Sequence, residues 1–365
     1  MAGVYRYLAY DLRTNVALGE LPLSGSFGDS LGGIELFTAT VDITAETAVL
    51  HTANTIPEKT LIYIERDGVI QQSVIVWERE REGKDPAIQL RGASLPSFFR
   101  RQRLVTSLGP YTAVDQFTIA QAFMNAMQAQ PGANIGIVVG SGTCGVTRDR
   151  TYYAYERKNI FDALDQLSNV NNGFDWAIDY SYVGGIPTKT LTLSYPRRGR
   201  AAGTTGLVFE LGKSISDYKF LEDGTRSARS VDIFGAGDGA DMKIGTYTRN
   251  DLIDLGYPLT SDYISLKDIT EQSSIDAYAI AGADARAETP TFMTVTLKPN
   301  DVDGGLGHWI VGDDVKVSIT DIHFPLGASG EPGYEHYHRI LGYRTTVDLA
   351  GAEVIVVTLG KVISA

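Results

Sequence analysis

The end of this chain repeats the plan of its beginning, and that limits what it can fold into. Residues 61–69 and then 73–92 read as strand, turn, strand, turn, strand closed by Gly92. Residues 315–321 and then 338–360 follow the same order to Gly360, with a longer first loop. Both runs alternate apolar and polar side chains at period two, as strands covered on one face do. Two meanders of one design therefore flank a different middle. If each meander builds a barrel, a trimer of such chains presents six equivalent barrels around its axis.

With 365 residues, two or three domains can each bury a core. The net charge of −12 disfavours a general grip on nucleic acid, yet suits the wall of a nucleic-acid conduit, which must not retain the strand passing through it. Excess carboxylates also simply keep a protein soluble. The single cysteine, Cys144, excludes an intrachain disulfide and a Cys-rich zinc site. No run reaches the roughly 18 apolar residues a membrane helix needs, and Met1–Tyr7 leads into strand-like sequence, so a soluble, cytosol-folded protein is expected.

The expected fold class is α+β, mainly β, with two tube-type β-barrel domains flanking an α/β insertion domain. Residues 1–102 form the first barrel domain, with strands at 5–12, 18–23 and 34–43. In residues 103–203, an α/β domain, Asp115 caps a helix carrying Ile119, Phe123, Ala126 and Met127, and a second helix starts near Asn159. Asn171, Asn172 and Gly173 stop that helix, and a hairpin turns at Gly184 and Gly185. Residues 196–206 have the composition of a linker. The second β domain, 204–365, holds the second barrel and one helix over 274–286 that stops before Thr289 and Pro290.

Few residues suggest chemistry. Gly140, Gly142 and Gly145 match a dinucleotide fingerprint in letters, but the β-branched and aromatic residues 146–155 cannot open the helix that such a site requires, so a plain glycine-rich loop and no cofactor are expected. His336 and His338 share a strand face and could bind a metal only if His323 or Asp321 joined them; a strand-edge or interface pair is the default. Asp301–Gly305 opens like a calcium loop without the later ligands, and Asp313 and Asp314 mark a turn before a strand. No nucleophile elbow is present, so no catalytic residue is assigned. Glu78, Glu80 and Glu82 fall on one strand face, opposite Trp77, Arg79 and Arg81. They read first as a solvated edge strand and second as a lumen-lining acidic rung. Arg100, Arg101 and Arg103, with Arg197, Arg198 and Arg200, are candidates for docking a neighbouring subunit's carboxylates.

Residues 5–25, residues 155–168 with 173–176, and the stretch from Gly312 to Val317 resemble the tail-tip hub of long-tailed phages, called minor tail proteins in actinobacteriophages. The plan is similar to the N-terminal hub part of tail-associated lysins and to contractile-tail central hubs, and the resemblance covers essentially the whole chain. It implies a homotrimer at the virion tail tip, with two tube-like barrels per chain making a pseudo-sixfold ring. One side would meet the distal tail protein or tail tube. The other would carry a fibre, spike or other tail-tip protein, with a tape measure protein as a possible further partner. Neither sequence-specific nucleic-acid binding nor a membrane span is implied. Because the chain stops at Ala365, a peptidoglycan-hydrolase extension is not expected, and the protein is read as structural, not as an enzyme. The alternatives are a hexameric distal tail protein and, third, a cell-wall hydrolase.

Overall fold

The computed structural model describes residues 3–83, 85–170, 172–204, 206–267, 269, 271–287 and 291–363. The fold is α+β and mainly β. The chain divides into two compact units, one of residues 1–218 with 295–365, the other of residues 219–294.

Seven strands open the first unit: β1 Tyr5–Asp11, β2 Ala17–Glu20, β3 Leu23–Ser30, β4 Leu36–Asp42, β5 Thr60–Arg66, β6 Val69–Arg81 and β7 Ala87–Ser94. Alternation is plainest in β4, where Phe37, Ala39 and Val41 are buried while Leu36, Thr38 and Asp42 are exposed. The strand expected over 18–23 is divided at Leu21 and Pro22, since proline has no N–H to give a ladder. A short helix, Ala48–Ala53, lies where sequence signalled none.

The middle follows with β8 Leu108–Asp115, the helix Gln116–Gln128, β9 Ile137–Val139, β10 Thr147–Tyr152, the helix Ile160–Ser168, β11 Asp175–Val183 and β12 Ile186–Ser194. Both helices begin at the expected caps. Asp115 accepts a hydrogen bond from the Phe117 N–H at 2.9 Å, and Asn159 accepts from those of Phe161 and Asp162. Ile119, Phe123 and Met127 of one helix, and Ile160, Leu164 and Leu167 of the other, enter a core shared with Leu61 and Tyr63 of β5 and with Trp176 of β11. Asn172 adopts the left-handed conformation of a helix stop, and Gly184 and Gly185 turn the hairpin at φ 58° and 80°. Asn171 lies outside the described residues.

The chain continues with β13 Val208–Glu210 and β14 Ile215–Glu222, which enters the second unit at Lys219; β18 Thr291–Leu297 re-enters the first unit at Val295 and is followed by β19 Asp314–Ile319, β20 Tyr334–Val347 and β21 Glu353–Ile363. One large sheet runs β14-β18-β21-β20-β3-β4-β7-β6-β5-β1-β2, with β19 on β20 and β13 on β19. The order β5-β6-β7-β4-β3 is repeated as β19-β20-β21-β18-β14. Glu58, just before β5, is left-handed at φ 65° and donates its N–H to the Val76 carbonyl at 2.8 Å; Gly312, just before β19, is left-handed at φ 103° and donates to the Ile340 carbonyl at 2.8 Å. Each carbonyl immediately precedes a register shift, between Val76 and Glu78 in β6 and between Ile340 and Gly342 in β20. The copies differ outside this frame, where β5 takes β1 antiparallel while β19 takes β13 parallel. The halves are joined where β3 pairs antiparallel with residues 342–347 of β20.

The second unit begins within β14, at Lys219, and ends within β18, at Thr294, the strands that hold the places of β3 and β4 in the first half. Its strands β15 Ser230–Phe234, β16 Ile244–Thr248 and β17 Ser261–Ser265 form one sheet, antiparallel between β15 and β16 and parallel between β15 and β17. The helix Gln272–Ala287 buries Ile275, Ala279 and Ala283, spaced four apart, against Val231 and Ile233. The expected stop at Thr289 and Pro290 lies outside the described residues.

Candidate functional site

One face of the large sheet is reached by solvent over much of both halves, although Ser26 on it is buried. Register places Glu80 beside Gln89, Gln89 beside Thr40 and Thr40 beside Ser24. The next row runs Glu78, Arg91, Thr38, Ser26, Thr346 and Val354. Directly paired residues project to the same face, so these rows form one surface spanning the β3–β20 seam. Shallow grooves cross it, one of about 450 Å³ lined by residues that include Ser26, Thr38, Arg91 and Thr346, and one of about 460 Å³ lined by residues that include Ser30, Gly342, Arg344 and Val356.

The acidic residues of this face are not a bare rung. Arg91 is in ion-pair contact with Glu78 and lies 3.1 Å from Glu80, and these two carboxylates hold its guanidinium pKa above the usual arginine value. All three side chains are more than half exposed, so screening leaves the cluster little effect on stability. Glu82 lies just past the end of β6 and is exposed. On the other side of β6, Trp77 donates its indole N–H to the Ser97 hydroxyl at 2.9 Å and lies under the Arg101 guanidinium, 4.0 Å from the ring centre. Arg79 reaches the Thr52 carbonyl at 2.5 Å.

The two arginine clusters differ in setting. Arg100 stacks over Phe161 at 4.6 Å, Arg101 lies 3.5 Å from Glu58, and Arg103 has an exposed side chain. Arg197, Arg198 and Arg200 are engaged within the chain, each at 2.5 Å, by Asp314, Asp179 and Asp313. Asp313 and Asp314 are almost fully buried and also accept the backbone N–H groups of Arg200 and Ala202. Burial acts to raise the Asp313 carboxyl, but hydrogen bonds from Arg200 and the Ile310 backbone outweigh it and hold the pKa below the usual carboxylate value. Residues 197–202 therefore depart from the linker reading. Gly199, at φ 85°, packs so closely on Gly312 that a Cβ would lie 2.2 Å from its carbonyl carbon. Composition suggested slack chain, while carboxylates from distant strands hold it.

In the glycine-rich loop, the N–H groups of Cys144 and Gly145 donate to the Asp115 carboxylate at 2.9 and 2.7 Å, occupying the donors a phosphate would need. His338 is buried, with Nδ1 at 2.8 Å from the Gly360 carbonyl and Nε2 at 2.6 Å from the Tyr334 hydroxyl, whereas His336 is exposed. Both ring nitrogens of His338 are thus engaged by protein atoms. Among the described residues, no group of three or more His, Cys, Asp or Glu side chains is placed to hold a metal ion. Sequence reasoning missed Arg91 and the neutral residues Thr38, Ser26 and Thr346 of the open face, because only cross-strand register makes them neighbours of Glu78.

No family model matches the chain, and no curated protein matches it. Solved structures do. The 43 kDa tail protein of prophage MuSo2 from Shewanella oneidensis aligns over 98% of both chains with a TM-score of 0.63 at 10% identity. The tail protein from Neisseria meningitidis MC58 aligns over 97% of this chain and 96% of its own, with a TM-score of 0.58 at 12% identity. Prophage tail protein gp18 from Listeria monocytogenes EGD-e aligns over 97% and 94%, with a TM-score of 0.53 at 11% identity. The chain has the fold of these phage tail proteins, along almost its whole length.

Proposed function

We propose that this protein is a structural component of a phage tail, at the virion tail tip, and that it acts there as the baseplate hub. The repeated strand plan carries this reading: β5-β6-β7-β4-β3 and β19-β20-β21-β18-β14 are two copies of one unit within a single sheet. A chain with two such units lets three subunits meet a sixfold tube, so a homotrimer converts between the two symmetries. In this reading residues 1–102 and 204–365 each supply one tube-type barrel, and residues 103–203 the α/β domain between them. The open face bearing Glu78 and Glu80, with Glu82 beside it, lines the channel. Arg100, Arg101 and Arg103 are better placed to dock a neighbour than Arg197, Arg198 and Arg200, which already hold carboxylates of their own chain.

The partners are further copies of the chain, the distal tail protein or tail tube on one side, and a fibre, spike or other tail-tip protein on the other. The role is mechanical and not enzymatic. Mass measurement of the purified assembly tests it. Three copies are expected, six would favour a distal tail protein, and cell-wall hydrolysis in a zymogram would overturn the structural reading.

A further inference from the structure

The β11–β12 hairpin buries a lysine where the alternation of a strand calls for an apolar residue. Lys189 of β12 lies on the same side of the strand as the buried Leu191 and is only 1% exposed. Among the described residues no carboxylate forms an ion pair with it; its ammonium lies 5.8 Å from the centre of the Tyr63 ring. Burial lowers its pKa to about 8. Near neutral pH about a tenth of these side chains therefore carry the free amine. The hydrogen-bond partner is Asn15, in the β1–β2 turn at φ 55°, whose Oδ1 is 3.1 Å from Nζ. The carboxamide of Asn15 is held at both ends. The buried Tyr63 hydroxyl donates to the same Oδ1 at 2.7 Å, and Nδ2 donates to the Pro187 carbonyl at 2.8 Å. Burial also raises the Tyr63 phenol well above its ordinary pKa, which keeps it a donor. The carboxamide carbon is one bond, about 1.23 Å, from that oxygen. Amines react with carbonyl carbons from separations of about 3–3.5 Å.

We propose that Lys189 and Asn15 join in an intramolecular isopeptide bond. The free amine of Lys189 adds its lone pair to Cγ of Asn15, and the carbonyl π electrons move onto Oδ1, where the Tyr63 hydroxyl stabilises the oxyanion. In the tetrahedral intermediate a proton passes from Nζ to Nδ2. The Cγ–Nδ2 bond then breaks with its electron pair as the carbonyl reforms. Ammonia leaves, and a secondary amide remains between Nζ and Cγ. No oxidant, metal or further reactant is consumed, so the folded chain closes the bond by itself, whatever its place in the virion. The link ties residues 174 apart, fastening the hairpin to the large sheet and closing a long loop that the unfolded chain would otherwise keep open.

Intact mass spectrometry of the full-length protein, denatured in acid, tests it. The wild type is expected to be lighter than its sequence by the mass of one ammonia, and a tryptic digest should contain a branched peptide joining positions 15 and 189 in place of cleavage after Lys189. Lys189→Met and Asn15→Ala should each show the full sequence mass. Any unconverted wild type should close about tenfold faster at pH 9 than at pH 7, as the amine loses its proton. Tyr63→Phe keeps the ring but removes the donor to Oδ1, and should slow closure about a hundredfold. A wild type that keeps its full mass, even after days at pH 9, would reduce the contact to a hydrogen bond and overturn the proposal. Ammonia loss that persists in Lys189→Met would assign it to asparagine cyclisation and overturn it as well.

Discussion

Arg66 and Glu353, 287 residues apart, form a buried ion pair at 2.6 Å between the end of β5 and the start of β21. Their side chains are 11% and 1% exposed, and the Tyr5 hydroxyl donates a further hydrogen bond to the same carboxylate. Glu353→Ala leaves the Tyr5 phenol without its acceptor and the Arg66 guanidinium with only Asp67, at 3.0 Å and half exposed, and the Leu306 carbonyl. Removing one partner of a buried pair costs about 3–5 kcal/mol, whereas replacing both by apolar residues of similar volume is near neutral. Urea unfolding of Glu353→Ala, and of the double variant Arg66→Met with Glu353→Met, should show that contrast. Equal losses in the two would show that packing, and not charge pairing, matters at this point.

Asp29, on β3 opposite Tyr343 of β20, lies at the seam. Burial raises its carboxyl pKa to about 6, against the opposing influence of Arg198 and a hydrogen bond from Gln72. A carboxyl whose folded value exceeds its unfolded value of about 3.9 retains a proton the unfolded chain has released, so stability falls as pH rises between the two values. Asp29→Asn keeps an acceptor for the Gln72 amide and removes this loss. Its melting temperature should match the parent near pH 4, exceed it increasingly toward pH 6, and hold a constant advantage above about pH 7. A difference independent of pH would rule out the carboxyl's ionisation as the cause.

The 197–202 segment is predicted to behave as a packed brace. Gly199→Ala forces a side chain into a left-handed conformation against the backbone of Gly312, and should cost more than about 1 kcal/mol by chemical denaturation. Gly206→Ala is the control, because its Cβ meets nothing within 4 Å. If the two variants unfold alike, the segment is a linker after all.

The open face is predicted to act on the passing genome. Glu78→Lys with Glu80→Lys places three cations, with Arg91, where two carboxylates now flank one arginine. Particles that assemble normally should eject their genome more slowly at low salt and recover at high salt, as cationic contacts to phosphate do. Ejection kinetics unchanged at low salt would assign these carboxylates to solubility.

What the sequence determined by itself was local. Asp115 and Asn159 announce helix starts because a cap acts within a turn of the residues it serves. The hairpin at Gly184 and Gly185 and the alternation of β4 are likewise properties of a few consecutive residues. The two meanders were also legible, because each is a run of neighbouring strands. Tertiary structure decided the rest. It set β3 against β20, placed Arg91 between Glu78 and Glu80, inserted the second unit where the first half has only a turn, and turned an apparent linker into a brace. Pairing across more than a hundred residues depends on which edges remain after local elements form. Edge strands and isolated arginines look alike in sequence whether or not a distant strand or carboxylate completes them.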